Sequence, residues 1–247
     1  MSKGLSRIIL SVALLAAACG LLLLLLPGPA YRRELLELRP ALDLFRHSLW
    51  FGLAAGFLGL LAAITGAGRL RGGSTLCMVS VLAAVIIVIP PLQFRHTAAS
   101  VPPSHDITTD LAEPPAFVAL RTAREAAPNA VEHPGEAVAE QQRDAYPEIR
   151  PRRYQRSAEA VFAAAADQVR DQGWLLVAEV PEEGRIEAVA VTTWFGFRDD
   201  VVIRIEAQGS ETRLDMRSAS RVGRSDVGAN ARRIDRFLRA LDDRLLD

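Results

Sequence analysis

Three uncharged apolar runs open the chain, and after them the pattern changes. Residues 8–26 carry no charge over 19 positions, and residues 48–67 and 74–89 repeat the pattern, the last closed by Pro90-Pro91. About 20 apolar residues in a helix cross a bilayer core of roughly 30 Å. The pattern therefore predicts three transmembrane helices at about 8–26, 48–67 and 74–89, a membrane domain over residues 1–95. Lys3 and Arg7 also give the first run the basic start of a signal peptide, and Leu15-Ala-Ala-Ala-Cys19 resembles a lipoprotein cleavage site. The run stays apolar through Gly20 and the six leucines that follow, where a mature lipoprotein turns polar, so an uncleaved span is the expectation. Gly52 and Gly56 form a small-xxx-small pair suited to close helix contact in lipid.

Residues 96–104 read as a tether, and residues 105–247 as a soluble domain. The segment 105–117 has β-branched residues and a pair of prolines, which favour extended backbone. Residues 121–156 lack apolar periodicity, with room for a short helix over 135–144, and are expected to wrap over the domain surface. At Ser157 a helical period begins: Ala158, Val161, Phe162, Ala165, Ala166 and Val169 share one face, with Ser157 as N-cap and Gly173 as stop. Four strands are predicted next, at 174–180, 185–193, 200–207 and 212–220. A helix from about Asp226 to Leu246 closes the chain, with Ile234, Phe237, Leu238, Leu241 and Leu245 as its stripe.

The last two strands fix their own register. Opposing Ala207 to Thr212 sets Ile205 against Leu214, Ile203 against Met216 and Val201 against Ser218 on one face. On the other face Glu206 then meets Arg213 and Arg204 meets Asp215, two opposite-charge pairs that a one-residue slip would destroy. One face is expected to be core and the other wet. The fold class is α+β: helix, four-stranded antiparallel sheet, helix, in a helix-grip-like order that follows three transmembrane helices.

Charge divides the chain as hydropathy does. The total of 29 Lys+Arg and 29 Asp+Glu conceals 9 bases against 3 acids before His96, a net of +6, and 20 arginines against 26 acids from there on, a net of −6. That acidic balance argues against nucleic acid as a partner. Cys19 and Cys77 both lie in apolar runs, so residues 105–247 offer no disulfide, no cysteine metal site and no cysteine nucleophile. With the N-terminus inside, the inner segments hold Lys3, Arg7, Arg69 and Arg71 and the outer ones Arg32, Arg33, Arg39, Arg46 and Arg95. The count does not decide, but the turn with Arg69 and Arg71 has no acid, which favours an N-in orientation with the C-terminal domain outside the cytoplasm.

Several segments, in order, carry a resemblance. They are His105-Asp-Ile-Thr-Thr-Asp110 with Pro114-Pro115, Tyr146-Pro-Glu-Ile149, Gly173-Trp174, Gly184-Arg-Ile-Glu-Ala188, Phe195-Gly-Phe197 with Asp199-Asp200, and Arg217-Ser-Ala-Ser-Arg-Val-Gly223 with Ser225-Asp226 and Asn230. Together, over roughly residues 100–245, they resemble the bacterial membrane-associated family called domain of unknown function 1499. The resemblance implies a bacterial, membrane-tethered soluble module with no assigned reaction; with the orientation read from the charges, the expectation is a multi-pass protein of the inner membrane with this domain on the periplasmic side.

Three places concentrate chemistry. In the stretch 217–230, Arg217, Arg221 and Arg224, the hydroxyls of Ser218 and Ser220, and Asp226 and Asn230 at a helix start are candidates to bind an anion. The bland alternative pairs the arginines with Asp199 and Asp200 and leaves Asp226 as a helix cap. His105 with Asp106 and Asp110 suggests acid–base work or Asx turns, and no second histidine sits at ligand spacing. Trp194-Phe195-Gly196-Phe197 suits either an apolar pocket or a membrane surface. No catalytic constellation, metal site or cofactor motif is recognised. The expectation is a module that binds a protein partner or a small anionic or apolar ligand without catalysis. The alternative is a hydrolase using His105, Asp106 and Asp110 with Ser218 and Asp226.

Overall fold

The structure, a computed structural model, describes residues 3–246. Its internal contacts divide the chain into two units, Met1–His96 with Thr193–Gly196, and Thr97–Thr192 with Phe197–Asp247.

The first unit is helical: α1 (Lys3–Leu25), α2 (Pro27–Arg32), α3 (Leu38–Ile64) and α4 (Gly73–Ser100). Three stretches, Lys3–Arg32, Leu38–Ile64 and Gly73–Ser100, are long and apolar enough to cross a membrane by length and composition. Small residues bring the helices together. A Cβ added at Gly52 would lie 2.9 Å from side-chain atoms of Ile87 and Val88, and one at Gly56 would lie 3.1 Å from Ala84. Ser80 Oγ donates to the Ala55 carbonyl across the same contact, at 2.9 Å. The rings of Trp194 and Phe195 stand edge-on to Phe45, with centroids 6.4 and 6.3 Å apart. Two sequence boundaries move. Helix α3 starts ten residues before Ser48, and α4 runs through Pro90-Pro91 to Ser100, so the expected tether is helical in its first half. Proline has a helical φ, and its missing N–H strips a donor only from the carbonyls of Ile86 and Ile87.

The second unit is a sheet with helices on one face. Among the described residues six strands form it, in the order β1–β6–β5–β4–β3: β1 (Asp106–Thr108), β3 (Leu175–Val180), β4 (Arg185–Val191), β5 (Arg198–Gln208) and β6 (Glu211–Ser220), with β2 (Arg152–Tyr154) also paired to β6. The sequence expectation was four. Strands β1 and β2 have three residues each, too few to show a period, and both pair antiparallel along the same edge of β6. The β5–β6 register holds as read, from Ala207↔Thr212 to Val201↔Ser218. Strand β3 ends the sheet with Leu175, Leu176 and Val177 exposed, and a bulge between Leu176 and Ala178 breaks that edge.

Helices α7 (Ala158–Asp171) and α8 (Ala229–Leu246) bury Val161, Phe162, Ala165 and Val169, and Ile234, Phe237, Leu238 and Leu241, against Ile186, Val201, Ile203, Leu214 and Met216 of the sheet. Ser157 caps α7 by accepting from Ala160 N, and Trp174 stacks on Phe237 with centroids 5.5 Å apart. Helix α8 starts at Ala229, three residues later than expected.

The other sheet face is not wet. Glu187, Asp200 and Asp215 on it are completely buried, and Val189, Val202 and Ala219 join Phe117 and Leu120 in a second small core. The irregular segment after β1, with the short helix α5 (Arg121–Glu125), lies over this face. Helix α6 (Glu136–Ala145) follows, and its Gln142 bonds both the N–H and the carbonyl of Thr108 in β1.

Candidate functional site

Strand alternation divides the predicted 217–230 site between the two faces of β6. Arg217 points to the outer face, where Nε and Nη2 grip both oxygens of Asp106 at 3.0 and 2.7 Å. Its remaining bonds go to the carbonyls of Pro115 and Val131. Four of its five N–H groups are thereby used, and both side chains are buried. Arg221 holds Asp200 with Nε and Nη2, and the fully buried Arg124 reaches the same carboxylate from α5 at 3.1 Å. The Arg124 and Arg217 guanidiniums both sit over the Phe117 ring, 4.6 and 4.8 Å from its centroid.

Ser218 and Ser220 face the helices instead. Ser218 Oγ donates to Asn230 Oδ1 at 2.8 Å, and Asn230 Nδ2 donates to Ser220 Oγ and to the His105 carbonyl, both at 3.0 Å. Arg233 donates to Ser218 and Asn230 and pairs with Asp199. Asp226 accepts from the N–H groups of Gly228 and Asn230 and so caps α8. Burial raises its pKa above the ordinary aspartate value, against those two N–H bonds. His105 enters this network through its main-chain carbonyl, which also accepts from Ser220 N.

Asp110 closes an Asx turn onto Ala112 N and Glu113 N and accepts from Arg204 and Arg213. Burial would raise its pKa, but those N–H groups and the two guanidiniums hold it below the usual range. Arg224 is exposed and makes no ion pair with the described residues. Of the ten predicted site residues, Arg217 and Asp106 thus meet on the outer face, together with Arg221 nearby. Ser218, Ser220, Asn230 and the His105 carbonyl meet on the inner one. Among the described residues no three His, Cys, Asp or Glu side chains gather at metal-ligand spacing.

Sequence reasoning missed Arg124, Glu187, Asn129 and His133. Glu187 accepts from three consecutive main-chain N–H groups, Val118, Ala119 and Leu120, ahead of α5. Asn129 clamps the carbonyls of Ser220 and Gly223. A legible signal was the apolar Val189, Val202 and Ala219 among the outward positions of β4, β5 and β6, because water-facing strands seldom carry three such neighbours.

Above Arg217 lies a cavity of about 210 Å³. Pro114, Ala116, Phe117 and Val131 give it apolar walls, and Arg121, Glu132, His133 and Arg217 supply its polar groups. Arg121 at one wall pairs with Glu132 at the other, 3.3 Å away. His133 Nδ1 accepts from Gly135 N, which leaves the proton of the neutral ring on Nε2, and that atom is buried without a hydrogen-bond partner among the described residues. Burial lowers the His133 pKa, and Arg217 adds to this against the pull of Asp106. An unfolded chain therefore takes up this proton at a higher pH than the folded one. Between the two values acid favours unfolding. Stability should fall as pH drops below about 6.5, and His133→Asn, which keeps an acceptor for Gly135 N, should reduce that slope in unfolding midpoints measured from pH 7 to 5.

A family model described as "Protein of unknown function (DUF1499)" matches residues 106–241, from β1 into α8. No curated protein matches the chain.

Proposed function

Since the chain belongs to the DUF1499 family, whose description assigns no reaction, we propose from the site itself that it is a membrane-anchored binding module without catalysis. The observation that carries this reading is the outer-face cavity, where apolar walls meet a buried, fully oriented arginine and an exposed one. Ligand sites commonly combine mostly apolar lining with a few fixed polar groups. The polar groups of the inner-face network, by contrast, are matched to one another, as in a structural network. The three apolar helices hold the module in the inner membrane. The acid-free turn with Arg69 and Arg71 favours placing the module on the periplasmic side, and a reporter fused to the C-terminus tests that side directly.

Ala116 is exposed and lines the cavity, so a large side chain there fills the cavity without disturbing the core. In thermal unfolding of the full-length protein in micelles, small amphipathic probes should raise the midpoint of the wild type. A ligand at 100 times its Kd adds about 2.7 kcal/mol. Ala116→Trp should keep the unliganded midpoint and lose that response. An equal response in both proteins, or no response in the wild type to any probe, would overturn the site.

A further inference from the structure

We infer that the outer-face cavity takes a short-chain monocarboxylate, with its hydrocarbon part on Phe117, Val131 and Pro114 and its carboxylate on Arg121. This deepens the reading above and rests on the cavity being a binding site. Size sets the first limit. The cavity offers about 210 Å³ and is open to solvent on one side, which suits a small ligand with its apolar end inside and its polar end at the mouth.

Charge sets the second limit. Arg217 brings no spare charge, because Asp106 neutralises it bidentately in a buried pair. Arg121 differs. Its side chain is 54% exposed, and its partners Glu125 and Glu132 are 53% and 72% exposed. Surface ion pairs of this kind contribute little, so one protein carboxylate exchanges for a ligand carboxylate at small cost. Glu132 already displays the arrangement: a carboxylate in the cavity lining, 3.3 Å from Arg121 Nη2. Arg121 is shared by two glutamates, and a single ligand carboxylate takes the place of one of them.

A cationic ligand fits poorly. The Phe117 ring, the aromatic group of the cavity that would receive an ammonium, already carries the Arg124 and Arg217 guanidiniums. Glu132 is the carboxylate of the lining, and an ammonium would have to take it from Arg121.

Three probes with one hydrocarbon chain separate the classes: hexanoate, hexanamide and hexylammonium, titrated calorimetrically into the full-length protein in maltoside micelles. Hexanoate should bind, hexanamide at least about tenfold more weakly, as expected for loss of a charge-assisted hydrogen bond, and hexylammonium not measurably. Arg121→Gln should weaken hexanoate by about the same factor and leave hexanamide unchanged. Glu132→Gln, which removes the competing carboxylate, should tighten hexanoate several-fold. Both substitutions lie at exposed positions, so the fold should persist. Hexanamide binding as tightly as hexanoate, hexylammonium binding more tightly, or an Arg121→Gln protein with wild-type hexanoate affinity would overturn the carboxylate assignment while leaving the cavity as a site. If none of the three binds, both this inference and the binding-site reading fall.

Discussion

Replacing Glu187 with alanine should cost about 3–5 kcal/mol, a large share of the roughly 5–15 kcal/mol that holds a domain together. The side chain is fully buried on the outer face of β4. One oxygen accepts from Val118 N and Ala119 N at 3.1 and 2.9 Å, the other from Leu120 N at 2.9 Å, and Arg185 pairs with it from the same strand. Each buried donor left without a partner costs about 1–3 kcal/mol. Alanine would strand the buried Leu120 N–H and leave Val118 and Ala119 to whatever water can reach them. Glutamine keeps the shape but turns one acceptor into a donor facing an N–H, so Glu187→Gln should cost less than alanine yet clearly more than zero. Thermal unfolding of the full-length protein in micelles ranks the variants, and hydrogen exchange at residues 118–120 reads the lost bonds directly. If Glu187→Gln exchanged at these amides as slowly as wild type, the carboxylate would not be what anchors the segment carrying Phe117 and Leu120.

That anchor shows why half of this unit was legible in the sequence and half was not. The β5–β6 register could be read because alternation and two charge pairs agree on one answer, and the structure keeps every pair. Helices α7 and α8 announced themselves through their apolar stripes, for the same local reason. Strands β1 and β2 had no such period: 105–117 reads as extended, but nothing local says that Asp106 pairs with Ala219, more than a hundred residues away. Charges on alternate strand positions ordinarily mean water, so the Glu206–Arg213 and Arg204–Asp215 pairs suggested a solvated face, yet Glu187, Asp200 and Asp215 on it are buried. What buries them is a proline-rich segment without periodicity, tied down by hydrogen bonds rather than by an apolar stripe.

The structure splits the candidate site between two faces of the sheet. The cluster of arginines, serines and acids in 217–230 stood out in the sequence, and its members do make dense contacts, but to each other and to Asp106, Asp199 and Asp200. Grouping 217–230 as one site kept its side chains together, although 212–220 already read as strand. As strand up to Ser220, it sends Arg217 and Ser218 to opposite faces. The cavity is lined by residues from 114–121, 131–133 and 217, and two of those segments have no sequence pattern to bring them together.

Asp200 should be the most sensitive single position of the charged layer. Its carboxylate is buried and serves two cations, Arg124 at 3.1 Å and Arg221 at 2.8 Å, and the Arg124 side chain has no exposure at all. Burial pulls the Arg124 pKa down and Asp200 pulls it back up, yet a guanidinium stays charged at any pH at which a protein is handled. Asp200→Ala therefore leaves an uncompensated charge inside, and breaking a buried pair in this way typically costs about 3–5 kcal/mol. Arg221→Ala should cost less, because Asp200 keeps Arg124 and the Arg221 side chain is 16% exposed, so water partly replaces it. Arg124→Met should also cost less, since Asp200 keeps its bidentate bond to Arg221 and no charge is stranded, although the bonds to the Ala219 and Ala130 carbonyls and the contact with the Phe117 ring are lost. The decisive comparison is the double variant. With the stranded cation removed, Arg124→Met/Asp200→Ala should be more stable than Asp200→Ala alone, a non-additivity of about 1–3 kcal/mol. Unfolding midpoints of the four proteins measure it. Strict additivity would mean that the aspartate acts through packing and not through the charge it holds.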